Sequence, residues 1–352
     1  MVKITINDTV TKLKEKSKAK NTQDKYKGDW LKFIDYCKDK YKCSPLDVDD
    51  LDSAYALSAN YMDWLHEDPE AKLLKGKSSI KGREKMNNNP YSRSSYKAST
   101  IQRILASITY KYRINGLPFD RKNPNVAETI SAIVRDEKNQ KSGQARELLK
   151  SDIVKIVDSI QDDKNDLRNI RDKALVLVGF YSFCRRSELL GMHYEHLSFV
   201  EDGIQILIPF SKTDQTGEGR VIFLPKTNDN YCPNDALNEW LEQAMINSGP
   251  LFYKINKSNT VEKYTLNHKN KKVSLTDTHF VLILKKRSID AGLDNSQKIS
   301  GHSLRIGAIT QARMNGVPTH EIMAQSGHKT TQMIDRYTKL SNIRETSAAK
   351  KI

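Results

Sequence analysis

The sequence is poor in the features that mark a disulfide-stapled, metal-built or membrane-spanning protein. Only four of its 352 residues are cysteines, Cys37, Cys43, Cys184 and Cys232. They form no CxxC pair and have no histidine at metal-ligand spacing, so neither a disulfide framework nor a cysteine-held zinc site is expected. They read as reduced, mostly buried thiols. Long apolar runs are missing as well. The opening MVKITINDTVTKLKEK has no stretch apolar enough for a signal peptide, and nothing elsewhere approaches the roughly 20 apolar residues of a membrane span. The expected setting is the inside of a cell, in the cytoplasm of a prokaryote or the nucleus of a eukaryote.

Charge is what the sequence has in excess. Lys and Arg number 58 against 43 Asp and Glu, a formal net charge of +15. Such a surplus favours a polyanionic partner, with nucleic acid first among candidates. Lysines that merely solvate a surface give the same count, so charge alone leaves both readings open. The length favours two domains joined by a polar segment.

From Thr22 onward, Tyr26, Trp30, Phe33, Ile34 and Cys37 share one helical face. A second helix is expected over Asp49 to His66, carrying Tyr55, Leu57, Tyr61, Met62 and Leu65. The stretch KLLKGKSSIKGREKMNNNPYSRSS (72–95) is too polar to bury a core and reads as an exposed, mobile basic loop, either a surface insertion or a DNA contact. Thr100 is the expected cap of a helix that turns Ile101, Ile104, Leu105, Ile108 and Tyr112 inward and stops at Gly116. After a further helix over Asn125 to Glu137, the segment KNQKSGQAR (138–146) has Ala145 as its lone apolar residue and is the expected boundary between domains 1–142 and 143–352.

The second part opens with a helix over Leu148 to Ile160. One long apolar helix is then expected from Arg171 through KALVLVGFYSFCRRSELLGM. IQILIPF and RVIFLP, separated by SKTDQTGEG, read as the two strands of a hairpin. Helices over Thr278 to Ala291, Ser303 to Asn315 and Thr319 to Gln325 complete the domain, the last two stopped by Gly316 and Gly327. The expected fold class is mainly α with one small β-sheet: a helical N-terminal domain and a mixed C-terminal one.

His302 and Arg305 in GHSLRIGA sit three apart, which on a helix puts both on one face. HxxR alone is a weak motif. Arg185, in CRRSELLG, follows an almost wholly apolar helix, so its guanidinium needs an anionic partner. That partner is either a ligand or Glu188 at i+3, and the adjacent Arg186 leaves open which arginine points inward. Downstream, SGHKTTQMIDRYTK supplies His328 and then Tyr337, the one tyrosine beyond Arg305.

Taken together, RxSE at Arg185 to Glu188, Lys212 in the hairpin, HxxR at His302 to Arg305, then His328 and Tyr337 resemble the signature of the tyrosine recombinase (phage integrase) family. His302 and His328 are 26 residues apart and Tyr337 follows nine later. The resemblance extends to TIQRILASITYKYRINGLP and to the Thr22 to Cys37 helix, and so covers most of the chain.

The resemblance implies a SAM-like helical DNA-binding domain and a DNA breaking-rejoining catalytic domain, both facing one duplex. It implies that Arg185 and Arg305 clamp the scissile phosphate, their charge standing in for a metal ion, so that no cofactor is needed. Tyr337 would attack phosphorus to give a 3′-phosphotyrosine. Lys212 would be the general acid for the 5′-oxygen, with Lys226 as its rival. His302 would move a proton near the nucleophile, and His328 would hydrogen-bond the phosphate. Glu188 would orient a catalytic cation, and Lys97 and Arg103 would face the DNA groove. The implied partners are double-stranded DNA and three further copies of the chain, a monomer in solution assembling as a homotetramer on two sites. Docking of the tail KLSNIRETSAAKKI in a neighbour would rely on Leu340 and Ile343. The same catalytic set serves type IB topoisomerases, and a degenerate member would bind DNA without cutting it.

Overall fold

The computed structural model describes residues 20–67, 96–139, 145–160, 166–209, 219–262 and 275–335. The basic stretch 72–95, most of the boundary segment, Lys212, Tyr337 and the tail with Leu340 and Ile343 lie outside these residues. The chain divides into two compact units, Met1–Ser142 and Gly143–Ile352.

The first unit is built from α1 (Lys20–Tyr41), α2 (Leu51–Glu67), α3 (Ala98–Ile114) and α4 (Pro124–Asn139). Its core is aromatic: Trp30, Phe33, Tyr61, Tyr112 and Phe119 are buried, with Phe33 and Tyr61 centroids 5.0 Å apart and Tyr112 stacked on Phe119 at 5.0 Å. Rings at this spacing combine large apolar burial with favourable ring geometry. All five inward positions expected of α3 are buried. Its cap is Lys97, however, and Thr100 falls inside the first turn, because extended backbone reaches only to residue 97. Gly116, at φ +87°, ends the chain's path out of the helix as expected.

The second unit comprises α5 (Lys150–Ser159), α6 (Leu167–Tyr181), the single turn α7 (Arg186–Leu189), β1 (Leu197–Val200), β2 (Gly203–Ile208), β3 (Arg220–Pro225), α8 (Pro233–Gln243), α9 (Asp277–Asp290), α10 (Ser303–Met314) and α11 (Thr319–Ser326). α6 runs through the middle, every residue from Ala174 to Phe180 being buried, and packs on α5, α8 and α10. The single long helix expected here is broken. Phe183 turns left-handed (φ 56°) after α6, and the chain restarts as α7 at Arg186. That break redirects Arg185 from the end of a buried rod into the site described below.

The sheet is antiparallel in the order β1-β2-β3, with Ile206 opposite Ile222 and Ile208 opposite Arg220. Alternation sends Ile204, Ile206, Ile208, Ile222 and Leu224 into the core and leaves Gln205, Leu207 and Val221 outside. β1 and α8 were not anticipated. Three of the four β1 residues are exposed, so the strand carries no inward pattern. α10 lies so close to the chain at Leu148 that a Cβ on Gly307 would stand 1.7 Å from the Leu148 carbonyl oxygen. Among the described residues no helix is long and apolar enough to cross a membrane.

Candidate active site

Glu188 is the centre of the site. It is buried in α7, and its Oε1 takes Arg185 Nη1 at 2.7 Å. Its Oε2 accepts the Arg185 backbone N–H at 2.9 Å and Arg220 Nη2 at 2.9 Å. Arg305 Nη1 stands 3.9 Å from the same Oε2. Burial alone would raise the pKa of Glu188. The hydrogen bonds and charge of Arg220 and Arg185 outweigh it and hold the carboxyl below its usual value. Three guanidinium groups against one carboxylate leave a surplus of two positive charges.

Arg185 is therefore the inward arginine of the RR pair. Arg186 turns the other way, its Nη2 2.6 Å from Asp277 and its side chain against Gly301. Arg305, 3% exposed, donates from Nη1 to the carbonyls of Phe183 (2.8 Å) and Ser326 (2.9 Å). Both carbonyls sit where a helix has just ended, and carbonyls freed there need donors.

His328 is buried immediately after Gly327, whose left-handed φ of 69° closes α11. Its Nε2 lies 2.8 Å from Arg305 Nη2 and its Nδ1 2.9 Å from Ser326 Oγ. A guanidinium only donates, so the nitrogen facing it carries no proton. Burial, reinforced by Arg305 and Arg185, pushes this imidazole down to about 4 from 6.5. His302 is the residue capping α10, with helical backbone angles and its carbonyl accepting the Ile306 N–H at 2.9 Å, so its three-residue spacing to Arg305 is that of a helix. It is exposed at the edge of the cluster. Partial burial of its ring and the charges of Arg186, Arg305 and Arg185 hold its pKa below the usual value.

Arg185, Glu188, Arg305 and His328 thus converge directly, and His302 joins them electrostatically. Lys212 and Tyr337 lie outside the described residues. Lys226 follows the far end of β3, roughly 20 Å along the strand from Arg220 at about 3.3 Å per residue, whereas Lys212 falls in the segment that enters β3 at Arg220. Sequence reasoning missed Arg220. Its one local signal was a basic residue at the start of an apolar strand, and its partner lies 32 residues away. Gln325 adds a stitch beneath the site, its Nε2 donating to the carbonyls of Tyr181 (3.1 Å) and Phe223 (2.9 Å), which fixes α11 against β3 and the end of α6.

In the other unit, Lys97 is exposed. Arg103 is half-buried and paired with Asp29, a carboxylate whose pKa burial raises despite that partner. The charge of Arg103 is shared within the fold.

A set of arginines and imidazoles around one carboxylate, with surplus positive charge, is suited to holding a phosphate and stabilising charge on its oxygens. Comparison with known proteins points the same way. Residues 146–344 match the model described as the phage integrase family. An integrase/recombinase described as a xerD homolog, from Selenomonas ruminantium, is 31% identical over 334 residues, covering 94% of this chain and 84% of that protein. Among solved structures, the Tn1549 transposon integrase in complex with transposon right-end DNA aligns with a TM-score of 0.54 at 15% identity, over 94% of this chain and 92% of that one. A lambda integrase dimer bound to a COC′ core site aligns with a TM-score of 0.51 at 16% identity, over 94% and 75%. These two likenesses show the fold.

Proposed function

Because the chain belongs to the phage integrase family and is a tyrosine site-specific DNA recombinase, we propose that its strand exchange runs through the residues gathered around Glu188. The observation that carries this reading is the convergence of Arg185, Arg305 and His328 on one buried, positively charged point. Arg185 and Arg305 clamp the nonbridging oxygens of the scissile phosphate with forked donors. Arg305 exchanges its contact with His328 for the phosphate, and the imidazole, its proton moved from Nδ1 to Nε2 while Ser326 Oγ donates to Nδ1, then donates from Nε2 to the same group.

Tyr337 is the nucleophile. Its oxygen bonds to phosphorus while the bond to the 5′-oxygen breaks, and Lys212 gives that oxygen a proton. His302, whose pKa is lowered by burial and by the surrounding arginines, accepts the tyrosine proton. The product is a 3′-phosphotyrosine and a 5′-hydroxyl. Attack by a 5′-hydroxyl from a second duplex reverses the chemistry and releases the tyrosine, so the link itself conserves the bond and ATP is not consumed.

In this reading 143–352 is the catalytic domain and 1–142 a DNA-binding domain, with Lys97 and Arg103 on phosphates. Arg103 contributes less than Lys97 because Asp29 shares its charge. The protein is a monomer in solution and assembles as a homotetramer on double-stranded DNA. Family membership favours exchange between duplexes over the nicking and closing of a topoisomerase.

The test is adduct trapping on a nicked or suicide substrate carrying the native site. Wild-type protein is expected to give a denaturation-resistant protein–DNA adduct, and Tyr337→Phe none. Equal adduct from both would remove Tyr337 as nucleophile, and none from either on DNA that is demonstrably bound would favour a module that binds without cutting.

A further inference from the structure

We propose that Arg220 is a positioning residue for strand cleavage: it occupies Glu188 so that Arg185 and Arg305 remain available to the phosphate. The inference rests on the clamp reading of those two arginines.

A carboxylate offers about four acceptor positions. On Glu188, Arg185 Nη1 uses Oε1, while the Arg185 backbone N–H and Arg220 Nη2 share Oε2. With Oε2 doubly engaged, Arg305 is held at 3.9 Å, outside hydrogen-bond range. Its donors go instead to two carbonyls and to His328. Without Arg220, Oε2 would have an open position directly facing Arg305. The strongest available contact would then be a tight Glu188–Arg305 pair, since a carboxylate adds the attraction of an opposite full charge that the Phe183 and Ser326 carbonyls lack. A guanidinium drawn onto Glu188 is a guanidinium withdrawn from the substrate. The surplus charge would fall from two to one.

Arg220 is placed to do this by two further contacts. Its guanidinium lies against the backbone at Gly327, where an added Cβ would stand 2.8 Å from Nη1, directly before His328. It is also the first residue of β3, paired with Ile208 at the end of β2. The chain between these two residues carries Lys212. Arg220 therefore joins the base of the Lys212 segment, the carboxylate of α7 and the backbone beside His328 in one side chain. Lysine reproduces the charge and not the planar fork, which is why Arg220→Lys is an informative variant.

The experiment is single-turnover adduct formation by the full-length protein on the suicide substrate, with DNA affinity measured in parallel. Arg220→Ala is expected to slow cleavage by about 100-fold, the scale of a misplaced catalytic group, with DNA affinity changed less than about threefold. Arg220→Lys should recover about tenfold of that loss. Because Arg220 acts through the charge of Glu188, Arg220→Ala combined with Glu188→Gln should be no slower than the slower single variant, to within about threefold. Cleavage within about threefold of wild type in Arg220→Ala, or losses that multiply in the double variant, would overturn the proposal. Should Arg220→Ala fail to fold, Arg220→Lys decides: an intermediate rate supports the role, and the wild-type rate refutes the need for a guanidinium. Tyr337→Phe run alongside separates the two readings, since adduct formation by that variant would sink the nucleophile assignment whatever Arg220 does.

Discussion

His328 is held where an imidazole is costly to charge, and the consequence is a pH dependence of defined sign. Its pKa is about 4 in the folded chain against 6.5 unperturbed. Above pH 6.5 the group is neutral in both folded and unfolded chains and adds no pH dependence. As pH falls from 6.5 toward 4 the unfolded chain takes up the proton first, so stability is lost across that window, by about 3 kcal/mol in all. Glu188, whose folded pKa is depressed, contributes in the same direction at lower pH: its stabilisation is present above the usual carboxylate value and lost below it. Chemical denaturation at pH 7 and pH 4.5 should show this loss, and a His328→Gln variant should lose less between the two. Equal losses would contradict the buried neutral imidazole. His302, Arg305 and His328 were legible as text because they lie within 27 residues of one another. Arg220 was not, because no local pattern ties a strand residue to a carboxylate in a helical turn far behind it. Arg103 carried a different lesson: a basic residue on a helix in a basic domain proved to be partly engaged by Asp29, a pairing that no periodicity shows.

At the scale of elements, helices with a strong apolar face were found where the spacing put them, as in α3 with its five buried positions. The expectation of a single helix from Arg171 to Met192 failed because apolar spacing continues across Ser182 to Arg185 while the backbone does not. Phe183 accepts a left-handed conformation that costs a non-glycine residue on the order of 1 kcal/mol, and its side chain packs against two apolar clusters that hold it there. α8 had signals that went unread: Pro233 at its start and Ala236, Leu237, Trp240 and Leu241 on one face. Gly307 sets the distance between α10 and the chain at Leu148. Gly307→Ala is expected to destabilise the protein by about 2 kcal/mol or more, because a Cβ would collide with backbone that cannot yield as a side chain can. Thermal unfolding checks this, and an unchanged midpoint would show that α10 shifts freely.

For the whole molecule, the division at residues 142 and 143 coincides with a segment whose composition already argued against burial. Static light scattering on the purified chain should give a mass near 40.2 kDa without DNA, and about four protomers per complex with two copies of its site. A stable tetramer in the absence of DNA would refute assembly on the substrate. The charge surplus around Glu188 reaches beyond chemistry. Like charges gathered before their counter-ion arrives repel one another, and the fold must contain that repulsion for as long as the site is empty. The protein is consequently least at ease when idle. A phosphodiester relieves the strain by neutralising it, so substrate acts on this molecule as a stabilising ligand before any bond is cut.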